Sequence, residues 1–74
     1  MLFAVVSKMT KEGILNPQQR GVLKDLILDY DQRLLQCLNE YEIGGDRDKL
    51  YYNFLQIANT YTAGWMNKHS EIFL

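Results

Sequence analysis

Apolar side chains recur at helical spacing through the middle of the chain. One series, which we call the seam, has steps of four and three residues in alternation. It consists of Leu23, Ile27, Tyr30, Leu34, Cys37 and Tyr41. This spacing places side chains along one side of an α-helix. The seam is widened on both sides by Val22, Leu26, Leu28, Leu35 and Leu38. The pattern predicts one helix over about residues 17–42.

The polar residues around this predicted helix agree with it. Asn16 and Pro17 precede it, and these residue types are favoured at the N-cap and at the first helical position. On the polar face Asp29 stands one turn before Arg33, which is the favourable order for an ion pair within a helix. Gly21 lies in the first turns and weakens them by about 1 kcal/mol relative to alanine.

Glycines separate two further segments from the seam. Apolar residues at helical spacing before Gly13 predict a helix over about 2–12, with a strand as the competing interpretation because Val5 and Val6 are β-branched. Gly44-Gly45 ends the middle helix, and an apolar stripe after Asp46 predicts a third helix over about 47–62. After Gly64 the pattern weakens, so a short fourth helix and an extended tail both stay open.

The predicted fold is therefore all-α, a small bundle of three main helices plus a short C-terminal segment. Residues 1–74 form one helical domain, and the two apolar ends suggest either packed termini or a piece of a longer protein. A weak repeat at an offset of 35 residues, which pairs Phe3 with Leu38, suggests two degenerate helix-loop-helix units. Paired EF-hands have this layout, but Asn53 stands where a loop starting at Glu42 needs its bidentate glutamate.

Composition excludes several classes of function. The chain has one cysteine and one histidine among its 74 residues, so it can form neither an internal disulfide nor a standard Cys/His zinc site. Eight basic and nine acidic residues give a net charge of −1, which attracts neither nucleic acid nor an anionic membrane. We expect no metal, no cofactor and a cytoplasmic location, because a lone cysteine fits a reducing compartment.

No residues combine into a catalytic constellation. Cys37 lies on the apolar seam and is expected to be a small core residue, while His69 falls in the weakly patterned tail. Asp46 and Asp48 are expected to cap the third helix. We therefore predict no catalytic residues and a protein that is not an enzyme.

The remaining apolar and aromatic residues suggest protein binding. The seam is wider than one short neighbouring helix can cover, and Tyr52 points away from the main stripe of the third helix. The predicted partner is an amphipathic helix of another protein or a second copy in a homodimer. The alternative is a degenerate EF-hand-like regulatory domain that responds to calcium or another ligand. The residues predicted to bind the partner are Leu28, Leu35, Tyr52 and Trp65.

Overall fold

Residues 1–68 of the chain fold into four helices. The computed structural model describes residues 1–68, and these contain no strand. The helices are α1 (Leu2–Lys11), α2 (Pro17–Leu28), α3 (Gln32–Glu42) and α4 (Arg47–Lys68). The all-α fold predicted from the sequence is confirmed, and α1 shows that the helical interpretation of the first segment is correct. The predicted tail beyond residue 68, with His69, lies outside the described residues.

The predicted helix over residues 17–42 is two helices in the structure. Tyr30 follows the end of α2 with φ of 58°, in the left-handed region. The amides of Tyr30 and Asp31 donate to the carbonyls of Ile27 and Leu26, at 3.0 and 3.1 Å. These two hydrogen bonds form a pattern that commonly ends an α-helix, and in that pattern glycine usually occupies the left-handed position. The Asp31 side chain then accepts a hydrogen bond from the Arg33 amide at 2.9 Å and begins α3.

The other helix ends follow the sequence closely. The Asn16 side chain accepts from the Gln19 amide at 2.7 Å, and the Gln19 side chain accepts from the Asn16 amide at 2.9 Å. This reciprocal pair satisfies amides that the first turn of α2 leaves free. Gly13 and Gly44 follow α1 and α3 with φ of 76° and 111°. Both glycines thus supply the left-handed residue that such helix ends require.

Helix α4 lies at the centre of the bundle. It packs against both α2 and α3, while α1 packs against α2 and α3. Phe54 and Ala58 of α4 are fully buried between these helices. The core cluster consists of Val6, Met9, Leu15, Val22, Leu23, Leu34, Leu50, Tyr51, Phe54 and Ala58. Members of the predicted seam and of the predicted α4 stripe therefore meet in one core.

Helix α4 extends beyond the end predicted near Thr62. It continues through Gly64 to Lys68, because Trp65 finds a packing partner on α2. A Cβ atom placed on Gly21 would lie 2.5 Å from Cζ2 of the Trp65 ring, so the indole rests directly on the glycine backbone. None of the four described helices is long and apolar enough to span a membrane.

Candidate functional site

The four residues predicted to bind a partner do not share one surface. Leu28 at the end of α2 and Tyr52 on α4 are 65% and 61% exposed. Leu35 is half-buried on α3, and Trp65 is half-buried against α2. Tyr52 and Trp65 are thirteen positions apart on α4, which is about 20 Å along a helix and on different sides of it. They therefore cannot contact the same short segment of a partner.

Three helix ends enclose an apolar groove. It lies between the start of α1, the end of α3 and the start of α4, and its volume is about 160 Å³. We call it the α1–α3–α4 groove, and it is lined by Met1, Ala4, Val5, Lys8, Leu38, Tyr41, Arg47, Leu50 and Tyr51. Leu38, Leu50 and Tyr51 form its floor, each no more than 8% exposed. Tyr41, the last residue of the seam, remains 38% exposed at its edge.

The charged side chains of this groove are both basic. Lys8 and Arg47 line it, and no acidic residue does so within the part of the chain that the structure describes. The Arg47 guanidinium carbon lies 5.7 Å from the centroid of the Tyr51 ring, within reach of a cation–π attraction. Burial raises the pKa of Tyr51, and the neighbouring Glu12 adds to that rise. The phenol is therefore neutral at physiological pH, and the groove combines an apolar floor with a cationic edge.

A second cleft, between α1 and α2, is lined by three basic residues. Its volume is about 400 Å³, and we call it the basic cleft. Arg20 and Lys24 stand one turn apart on α2 and face Lys11 at the end of α1, again without an acidic residue among the described lining. The Thr10 hydroxyl in this cleft donates to the Val6 carbonyl at 2.8 Å. The charged side chains in the described lining of the cleft are therefore all basic.

Arg33 links the turn between α2 and α3 to α4. It forms an ion pair with Asp31, with Nη2 and Oδ2 2.7 Å apart. Its guanidinium carbon lies 4.7 Å from the centroid of the Tyr61 ring. The hydrogen bond from Arg33 holds the pKa of Asp31 below its ordinary value. The sequence indicates Asp29 as the partner of Arg33, and the break at Tyr30 explains the difference because Asp29 lies outside α3.

The groups that sequence analysis examined for chemistry lie in structural positions. Cys37 is half-buried, and burial, together with the nearby Glu40, raises the pKa of its thiol. A raised pKa disfavours the reactive thiolate. The Asp46 side chain accepts from the Asp48 amide at 2.8 Å, as expected for a cap. Residues 1–68 contain no group of three or more potential metal ligands.

Comparisons with protein-family models, with curated proteins and with solved structures found no match. Sequence reasoning missed the groove residues Lys8, Tyr41 and Arg47, because the groove forms only where three helix ends meet. The one sequence signal for it is Tyr41, the last residue of the seam, which lines the groove.

Proposed function

We propose that this protein is a non-catalytic interaction module that binds an acidic amphipathic helix of a partner protein in the α1–α3–α4 groove. The observation that carries the proposal is the pairing of an apolar floor with a basic edge. Leu38 and Leu50 offer apolar contact at the bottom, and Lys8 and Arg47 stand at the sides. Self-association, in which the helix comes from a second copy, is the close variant.

The size of the groove supports a protein partner. At about 160 Å³ it is smaller than the roughly 300–1,000 Å³ typical of sites for small molecules and cofactors. It has room for a large apolar side chain from an amphipathic helix, and such helices dock through apolar anchors spaced three and four residues apart. Acidic side chains flanking the anchor would lie near Lys8 and Arg47. Their attraction would add specificity and a dependence on salt concentration.

A matched pair of tyrosine variants tests this proposal. Tyr41 edges the groove, whereas Tyr52 is more exposed and lies on α4 outside the groove. An acidic amphipathic helical peptide, with leucines at helical spacing and glutamates beside them, is titrated into each variant and followed by NMR chemical shifts. Tyr41→Ala should weaken binding by roughly five- to thirtyfold, because aromatic anchors commonly contribute about 1–2 kcal/mol. Tyr52→Ala should leave binding unchanged.

A charge variant separates apolar from electrostatic contributions. Lys8→Glu lowers the side-chain charge of the groove from +2 to 0. It should therefore weaken binding of the acidic peptide and remove most of its dependence on salt, while Lys24→Glu, in the basic cleft, should do neither. Equal effects of Tyr41→Ala and Tyr52→Ala, or no binding of the peptide at millimolar concentration, would show that the groove is not the docking surface.

A ligand-responsive regulatory domain is the second candidate function, and the basic cleft favours an anion as its ligand. Only residues 43–46 separate α3 from α4, whereas an EF-hand calcium loop has twelve residues. Three basic side chains in one cleft suit a phosphate or carboxylate group. Calorimetric titration with pyrophosphate and with calcium distinguishes the two ligands. A response to pyrophosphate that Lys24→Glu removes would favour this second function.

We also propose a cytoplasmic location. Cys37 is the single cysteine of the chain and is half-buried on the seam, where it cannot form an internal disulfide. Reducing compartments are where such free thiols persist. Fluorescence microscopy of the tagged protein tests this location.

A further inference from the structure

We infer that α2 and α3 join into one continuous helix when two copies of this chain exchange their α1–α2 halves. The inference rests on the self-association form of the proposed function and names its partner surface. In the exchanged dimer, α1–α2 of one copy packs on α3–α4 of the other. The turn at Tyr30 is then the hinge that opens.

The first observation is that the seam does not lose its register across the turn. Ile27, Tyr30 and Leu34 keep the alternating three- and four-residue spacing of the whole series, and no glycine or proline occurs between residues 22 and 43. A continuous seam without helix breakers is the pattern of a single long helix. In the four-helix form, however, Tyr30 is 79% exposed. One seam position is therefore uncovered at the point where the helix is interrupted.

The second observation is the backbone conformation at the turn. Tyr30 is the described non-glycine residue with positive φ, at 58°, whereas Gly13 and Gly44 take this conformation at the ends of α1 and α3. The left-handed region disfavours residues with a Cβ atom. Joining α2 to α3 returns Tyr30 to right-handed helical torsions and removes that cost. The turns at Gly13 and Gly44 gain nothing comparable from joining.

The third observation is that the ion pair of the turn has a replacement in a continuous helix. Arg33 pairs with Asp31 across the turn, and in a continuous helix it would stand one turn after Asp29 instead. Aspartate before arginine at this spacing is a favourable pair. Tyr30 would likewise stand one turn from Leu34. The joined form therefore exchanges this ion pair and does not simply lose it.

The partner in the exchange is a second copy of the chain, because the two halves of the chain already fit each other. Gly21 of α2 receives the Trp65 ring of α4, and the Gln19 side-chain amide donates to the Asn59 side-chain oxygen at 2.8 Å. A helix over residues 17–42 would be about 39 Å long and would hold these halves apart within one chain. The same contacts then form between two chains, as in domain swapping.

Two matched cap variants test the hinge. Asp31 and Asp46 each accept a hydrogen bond from the amide two residues later, at 2.9 and 2.8 Å. Only Asp31 lies at the proposed hinge, since Gly44-Gly45 precedes Asp46. Asp31→Ala removes the cap of α3 and places a strong helix former in the joined helix at both hinges of the dimer, so the dimer association constant should rise on the order of a hundredfold. Asp46→Ala should leave that constant unchanged.

A third variant acts in the opposite direction. Tyr30→Gly relieves the left-handed conformation in the monomer and weakens the continuous helix, so it should lower the dimer association constant by roughly a hundredfold, with two hinges per dimer. All variants and the parent chain are refolded over a range of protein concentrations. Their masses are then measured by light scattering, because exchange requires opening of the monomer.

A crosslinking experiment distinguishes exchange from a surface contact. Gln19→Cys and Asn59→Cys are combined in a Cys37→Ser background and treated with a short bifunctional thiol reagent. In an exchanged dimer the two thiols that meet belong to different chains, so denaturing gels should show covalent dimers. Crosslinks within single chains of an isolated dimer fraction would overturn the inference. The inference would also be overturned if the parent chain and the Asp31→Ala variant stayed monomeric at every concentration. An equal rise in the dimer association constant for Asp46→Ala would overturn it too.

The proposal that the α1–α3–α4 groove binds a partner helix can be tested independently of the exchange inference. A monomeric Tyr30→Gly variant keeps Tyr41, Lys8 and Arg47 in place. If it binds the acidic helical peptide while no dimer of any variant forms, the exchange inference is wrong and the interaction proposal stands. If dimers form with crosslinks between chains but the peptide does not bind, the exchange inference stands and the groove proposal is wrong.

Discussion

The contact between Trp65 and Gly21 predicts opposite effects for the same substitution at two helical glycines. Gly21→Ala and Gly64→Ala each replace glycine inside a helix, a change that stabilises an exposed site by about 0.5–1 kcal/mol. At Gly64 an added Cβ meets no atom within 4 Å, so the full gain is expected. At Gly21 the Cβ would meet the Trp65 ring at 2.5 Å. That clash forces the indole off its present position, and overpacking of this kind costs about 1–3 kcal/mol.

The net expectation is a gain in stability for Gly64→Ala, and no gain or a loss for Gly21→Ala. Gly64→Ala should raise the midpoint of thermal unfolding by several degrees, since about 1 kcal/mol corresponds to roughly 4–8 °C in a domain of this size. Gly21→Ala should leave the midpoint unchanged or lower it by up to roughly 20 °C. Circular dichroism measures both midpoints. Trp65 is the one tryptophan of the chain, so its fluorescence should shift to longer wavelength in Gly21→Ala only.

Two results would refute the packing argument. If Gly21→Ala stabilises the fold as much as Gly64→Ala and leaves the emission unchanged, Trp65 does not rest on α2. If both variants destabilise the fold by a similar amount, the C-terminal part of α4 does not behave as a helix. In either case the packing of Trp65 on Gly21 would not explain why α4 extends beyond Thr62.

Three further predictions concern caps and titrating groups. Asn16→Ala removes the capping box of α2 and should destabilise the fold by about 1 kcal/mol in urea unfolding. Arg33 lowers the pKa of Asp31 from an ordinary 3.8. The ionised Asp31 carboxylate therefore stabilises the folded state above about pH 4, and this stabilisation is lost as pH falls through the lowered pKa. Asp31→Asn should therefore reduce the acid sensitivity of unfolding. Burial raises the pKa of Cys37, so a thiol reagent should label native protein more slowly than unfolded protein.

Local residue chemistry made most of the helix boundaries predictable. Asn16 forms the N-cap of α2, Gly13 ends α1, and Gly44 follows α3 in a left-handed conformation. Each of these residues has a strong intrinsic preference for the position that it occupies. The core was predictable for the same kind of reason, because helical spacing selects Leu23, Leu34 and Phe54.

The features that escaped prediction depend on tertiary contact. Nothing in the local sequence marks Tyr30 as a helix end, since tyrosine is not a preferred left-handed residue. The turn forms because α2 and α3 both pack on α4. In the sequence Gly21 indicates a weak point of a helix, yet its missing side chain makes room for Trp65. The groove depends on three helix ends that lie far apart in sequence.

The central position of α4 has a consequence for how the chain folds during synthesis. A ribosome releases α1, α2 and α3 before any of α4 emerges, so Leu23 and Leu34 have no Phe54 or Ala58 to pack against at that stage. Helices of this length are marginally stable in water without tertiary contacts. The first three helices therefore remain fluctuating, apolar segments, and the bundle closes in one late step. Nascent chains are then exposed to association with one another until that step is complete.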